Sequence, residues 1–193
     1  YFAPIGVIIM IIKTFMSQGF STILELASYF FTVLLVLIIH FLLTYGSLLF
    51  LLTKVRLVYF YSKMKNTILF AFSTASSAAT IPITLKTVEE ELKVEKSVAS
   101  FSVPLGATIN MDGTAIMQGV ATIFIANAYG INLEISDFIS VIMVATLASI
   151  GTAGVPGVGL IMLAMVLNQV GLPSEGIALI IGIDRSVSYT HLR

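Results

Sequence analysis

Several stretches of this chain are apolar over roughly the 20 residues needed to cross a bilayer's hydrocarbon core, and most are broken near the middle by glycine, proline or small hydroxylated residues. A soluble domain cannot bury so much apolar chain. The composition agrees: of 193 residues 58% are hydrophobic and 10% charged, with a mean hydropathy of +1.03, far from soluble domains. An all-α polytopic membrane protein is therefore expected, with the lipid bilayer as its solvent. The formal net charge of zero leaves no basic stripe for nucleic acid. The absence of cysteine excludes disulfides, thiol nucleophiles and thiolate metal sites. Tyr1-Phe2-Ala3-Pro4-Ile5-Gly6 reads as the inside of an apolar segment, so truncation at the start is expected.

Two transmembrane helices are predicted over residues 1–53: a first span from Tyr1 to Met16, and a second opened by Thr22 and Glu25 in capping-box spacing. Lys54, Arg56, Lys63 and Lys65 follow the second span, and clustered cations beside a span stay on the cytoplasmic side. Residues 54–96 read as a cytoplasmic-side hairpin whose tip is Ser73-Thr74-Ala75-Ser76-Ser77-Ala78-Ala79-Thr80-Ile81-Pro82. Its flanks are charged on both sides, the second being Lys86 to Lys96. A segment that enters and leaves on one side is re-entrant, which requires its tip to be buried in protein or to line a cavity. Residues 97–133 read as a broken span, interrupted by Pro104, Gly106 and Gly113 around Asn110-Met111-Asp112, with the next loop at Asn127 to Asp137. Residues 134–172 repeat the hairpin from the outer side, with its tip at Gly151-Thr152-Ala153-Gly154-Val155-Pro156-Gly157-Val158-Gly159. A last span begins over 173–185, and residues 186–193 read as an atypical, foreign tail. Hairpin then span from inside, followed by hairpin then span from outside, is the pattern of inverted repeats that hold a substrate and ion site at the membrane midplane.

Asp112 carries the strongest chemical signal. An ionisable group at mid-span costs about 2.5–3.5 kcal/mol on insertion scales and needs a partner, either a cation or hydrogen bonds from neighbouring helices. Carbonyls near Thr108 and Asn110 would supply hard oxygen ligands, which suit an alkali ion better than a transition metal. With no second intramembrane carboxylate before Asp184, sodium is favoured over a divalent ion. Ser76 and Ser77 at the first tip either present hydroxyls and N–H groups to a substrate carboxylate or pack helices closely. Gly154 to Gly157 permit either backbone approach to a ligand or merely a tight turn. His40, alone in an apolar helix with no carboxylate at matching spacing, is expected to be a hydrogen-bonded spectator. Met162 and Met165 are expected to pack. His40 and His191 lie far apart, and the glycine-rich runs lack the lysine of a phosphate loop, so no enzyme and no bound organic cofactor is expected.

Three motifs together resemble the glutamate transporter family, the dicarboxylate/amino-acid:cation symporters: the serine-rich Ser73 to Pro82, Asn110-Met111-Asp112-Gly113-Thr114, and Gly151-Thr152-Ala153-Gly154-Val155-Pro156-Gly157. The resemblance runs to Arg185. It implies sodium-coupled import of an acidic or small neutral amino acid by an elevator motion, in a multi-pass cell (inner) membrane protein that assembles as a homotrimer when full-length. It implies substrate contacts at Ser76, Ser77, Thr114, the Val155 carbonyl and the Gly159 N–H. It implies sodium held by carbonyls of Gly106, Thr108, Asn110, Ser149, Ile150 and Thr152, by the side chains of Asn110 and Asp112, and near the Met111 thioether. Met111 and Pro156 resemble the amino-acid branch more than the C4-dicarboxylate branch, which stays the alternative. An ion channel built on re-entrant hairpins and a non-transporting scaffold are the other readings. The family's last span continues past Asp184 with residues that read the substrate side chain. Ser188 and His191 stand where an aspartate and an arginine are expected, so this fragment is not expected to transport alone.

Overall fold

The computed structural model describes residues 21–155 and 157–181. The first predicted span (1–16), Pro156, Asp184, Arg185 and the atypical tail lie outside the described residues, as does the side chain of the Thr22 cap. Among the described residues the structure is helical, with no strand. Helix α1 is Ser21–Ile39, followed by a π-helical turn at His40–Tyr45 and α2 at Gly46–Leu52. Then come α3 (Leu57–Thr74), α4 (Ser77–Glu90), α5 (Lys96–Ile109) and α6 (Asp112–Ala128). Helices α7 (Ile135–Ile150) and α8 (Val158–Gln169) follow, then a 3₁₀ turn at Ser174–Gly176 and helical chain over 177–181.

Only the run Leu24–Leu52, among the described residues, is long and apolar enough to cross a membrane. The apolar helices α7 and α8 have 16 and 12 residues, about 24 and 18 Å at 1.5 Å per residue, short of a hydrocarbon core. Large apolar side chains stand exposed along whole faces, including Phe31, Leu35, Leu42 and Phe50 in the first run and Ile135, Ile139, Ile142 and Leu147 on α7. Such patches exceed what a water-facing surface carries.

The helices pair in chain order. Helix α3 turns sharply into α4 because Ala75 adopts a left-handed conformation (φ 48°) and Ser76 caps α4, its Oγ accepting from Ala79 N–H at 3.2 Å. Thr67 and Thr87 hydroxyls, 2.8 Å apart, tie the two arms. At the far end Lys63 Nζ donates to Glu91 at 2.6 Å, and that hydrogen bond and charge hold the Glu91 carboxyl below its ordinary range. Helices α7 and α8 form the second pair. Its start is a capping box the sequence reading overlooked: Glu134 N–H donates to the Asp137 carboxylate at 2.8 Å. The connecting loop is accordingly shorter than the predicted Asn127 to Asp137.

The core joins α1 through Val33, α6 through Met117, Ala121 and Ile125, α7 through Ala145 and α8 through Leu163 and Leu167. Small residues at these crossings let the backbones approach. Met165, expected to pack, is 55% exposed, because it lies on the outer face of α8. Pro82, Pro104 and Gly106 lie inside helices rather than ending them; an interior proline removes one hydrogen bond while the flanking ladder holds. The actual interruption is at Asn110 (ψ 72°) and Met111 (ψ 44°), both outside helical geometry.

In the 3₁₀ turn after α8, a Cβ on Gly176 would sit 2.4 Å from Ile125 Cγ2. Gly176→Ala is therefore expected to cost about 1–3 kcal/mol by overpacking, read as a lower unfolding midpoint in detergent. In an Ile125→Ala background the same glycine substitution should cost less, a non-additivity read from the double-mutant cycle.

Candidate functional site

The two hairpin turns, some 78 residues apart, meet. Ser76 Oγ donates to the Gly154 carbonyl at 2.9 Å, and Ala78 N–H donates to the same oxygen at 3.2 Å. The approach needs a glycine: a Cβ on Gly154 would lie 3.0 Å from Ser77 Cβ, 3.1 Å from Ala78 N and 3.4 Å from Met111 Cε. Ser76, Ser77, Gly154 and Met111 thus share one locus. A second contact brings α6 to the start of α8, where a Cβ on Gly159 would meet Met117 Cε at 2.9 Å and Thr114 Cγ2 at 3.4 Å. The buried Gln118 side chain donates to the Gly159 carbonyl at 3.3 Å.

Buried polar atoms cluster around these contacts without a partner: Ser77 Oγ, Thr114 Oγ1 and Gln118 Oε1. A buried hydroxyl left unpaired costs about 1–3 kcal/mol, so such groups mark where a polar ligand would be accommodated. Val155 is 43% exposed on the second tip. Gln118 was not singled out from the sequence, although an amide in the middle of an apolar helix is a legible signal.

The implied sodium ligands fall at helix ends. Helix α5 stops at Ile109 and α6 starts at Asp112, and a helix end leaves its last carbonyls, Thr108's among them, without i+4 donors. The Gly106 carbonyl accepts from Asn110 N–H at 2.9 Å, and Asn110 is exposed. Met111 is buried. At the end of α7 the Ser149 carbonyl accepts from Thr152 N–H at 3.2 Å, Ser149 and Thr152 are buried, and Ile150 is exposed. Thr108 and Thr152 hydroxyls bond back to Pro104 and Ala148 carbonyls, leaving their own backbone oxygens as the groups on offer. Among the described residues no three His, Cys, Asp or Glu side chains come together. Carboxylate and carbonyl oxygens are hard donors, the class that suits alkali and alkaline-earth ions better than transition metals.

Asp112 itself is not alone. Tyr45 Oη donates to its Oδ2 at 2.5 Å, and His40 Nε2 lies 3.3 Å from the same oxygen. His40, expected to be a hydrogen-bonded spectator, has as its partner a carboxylate 72 residues away in the chain, beyond any local spacing rule. Two cavities lie beside this corner. The larger, about 460 Å³, is apolar and sits between α2 and the α3–α4 pair, away from the tips. The smaller, about 160 Å³, is lined by His40, Tyr45 and Gly113.

A family profile described as the sodium:dicarboxylate symporter family matches residues 1–189. Excitatory amino acid transporter 1 of Homo sapiens is 39% identical over 186 residues, covering 95% of this chain and 34% of that protein. Excitatory amino acid transporter 3 of Mus musculus is 40% identical over 184 residues, covering 95% of this chain and 35% of that protein. An excitatory amino acid transporter of Caenorhabditis elegans is 40% identical over 186 residues, covering 95% of this chain and 37% of that protein. The chain spans about a third of the length of the curated relatives it matches.

Proposed function

The chain belongs to the sodium:dicarboxylate symporter family, a family of transporters rather than enzymes, and from that premise we propose that it is the substrate- and ion-binding part of a sodium-coupled importer of an acidic or small neutral amino acid. The observation that carries this reading is the meeting of the two tips through the Gly154 carbonyl beside the unpaired hydroxyls of Ser77 and Thr114. Substrate is bound by Ser76, Ser77, Thr114, the Val155 carbonyl and the Gly159 N–H. Sodium is bound by Asp112, Asn110 and the carbonyls of Gly106, Thr108, Ser149, Ile150 and Thr152, beside Met111.

In this reading the α3–α4 and α7–α8 pairs are re-entrant hairpins, each followed by a span, forming inverted repeats in a multi-pass protein of the cell membrane. The short apolar helices of the second pair support it. The boundaries are those of the sequence: spans over 1–53, hairpins over 54–96 and 134–172, a broken span over 97–133 and a last span from 173. Coupling follows because closing the tips over an incomplete site would strand buried polar groups unpaired. The core moves as an elevator against a scaffold in a homotrimer, and residues 1–193 alone do not transport.

The test is uptake of labelled aspartate by the native protein carrying this sequence, with serine and succinate as competitors, in sodium and in choline. Uptake that requires sodium and is competed by aspartate or serine is expected. Competition by succinate alone would move the substrate to C4-dicarboxylates, and non-saturable, sodium-indifferent flux would replace the carrier with a channel.

A further inference from the structure

We propose that Tyr45, assisted by His40, is a positioning residue for the cation site, setting sodium affinity through its grip on Asp112. The inference rests on the reading of Asp112 as a sodium ligand and goes beyond it, because neither Tyr45 nor His40 belongs to the ligand set given above.

The first observation is the π-helical turn. In an α-helix of 3.6 residues per turn, residues five apart point about 140° away from one another. Bonding of i to i+5 over His40–Tyr45 turns the two residues toward one side, and their rings meet edge to face with centroids 5.0 Å apart. Such turns concentrate at functional sites because they cost helix regularity. This one is supported from outside: Tyr61 Oη donates to the Phe41 carbonyl at 3.3 Å.

The second observation is where that side points. Both rings converge on a single atom, Asp112 Oδ2. With Oδ2 engaged by a short hydroxyl donor, the rotamer of the carboxylate is set and Oδ1 is left for another partner. Asp112 is the first residue of α6, directly after the break whose carbonyls are on offer, so fixing its rotation decides whether Oδ1 and those carbonyls address one point. Donors that orient a metal-binding carboxylate in this way change metal affinity about 10- to 100-fold when removed. Tyr45 is the stronger of the pair, at 2.5 Å against 3.3 Å.

The experiment is equilibrium binding of radioactive sodium to the native protein carrying this sequence, purified into lipid nanodiscs, for the parent, Tyr45→Phe, His40→Phe and Asp112→Ala. Tyr45→Phe keeps the ring and loses only the donor. The sodium Kd is expected to rise about tenfold in Tyr45→Phe and less in His40→Phe, with a lowered unfolding midpoint in the absence of sodium where the Tyr45 hydrogen bond is lost. In sodium-induced infrared difference spectra, the carboxylate band that disappears in Asp112→Asn is expected to shift in Tyr45→Phe. Parent-like affinity or an unshifted band in Tyr45→Phe overturns the proposal, even when Asp112→Ala has lost sodium binding and the ligand reading stands. If Tyr45→Phe does not fold, parent-like affinity in His40→Phe overturns the paired grip. Parent-like binding in Asp112→Ala overturns the ligand reading itself.

Discussion

Asp112→Ala is expected to lower sodium affinity at least 100-fold in the native protein carrying this sequence, and to abolish sodium-driven uptake at sodium concentrations that saturate the parent. The carboxylate is the single full negative charge at the break between α5 and α6, and the other oxygens there are dipolar carbonyls. A 100-fold loss corresponds to about 2.8 kcal/mol, within reach of one charged ligand in a site partly shielded from water. The same substitution removes the acceptor of the Tyr45 hydroxyl, and a hydrogen bond to a charged group is worth about 1.5–3 kcal/mol, so some loss of folding stability should accompany it. Asp112→Asn separates the two effects: it keeps a neutral acceptor for Tyr45 but not the charge, so it should recover part of the unfolding midpoint without restoring sodium binding. Uptake within a few-fold of the parent in Asp112→Asn would remove Asp112 from the coupling site.

Gly154→Val is expected to weaken substrate binding about 5- to 150-fold while leaving the rest of the helical core intact. Even the first added carbon would press on Ser77 Cβ and on the Ala78 nitrogen at 3.0 and 3.1 Å, and the second of these is backbone that cannot rotate aside. The tips must therefore separate by some tenths of an ångström, lengthening both hydrogen bonds to the Gly154 carbonyl. Two such bonds at about 0.5–1.5 kcal/mol each give the stated range. Gly154→Ala should lie between parent and valine, a graded series that a global folding defect would not produce. Substrate titration by calorimetry in saturating sodium reads it directly. Parent-like affinity in Gly154→Val would show that the meeting of the tips has no part in holding substrate.

Local chemistry was legible along the chain. The long apolar run through Leu52, the charged stretch after it, the hairpin turn at Ser76, the turn after Ile150 and the interruption at Asn110-Met111 all follow from side-chain polarity and backbone preference over a few residues. Family membership was legible too, since three short motifs carry it. Element ends were less so: Pro82, Pro104 and Gly106 read as interruptions, yet they sit within helices, because one weakened position does not outweigh the hydrogen bonds on either side.

What the sequence by itself determined is therefore the class of the molecule and the identity of its unusual backbone points, properties set by neighbours a few residues apart. Only the tertiary structure decided which of those points meet. The Gly154 carbonyl receives Ser76 and Ala78 from the other hairpin, Gln118 reaches Gly159, and Tyr45 and His40 close on Asp112 from 67 and 72 residues away. No spacing rule encodes these partners, because helix crossings and one irregular π-turn in an otherwise regular helix decide which side chains face one another.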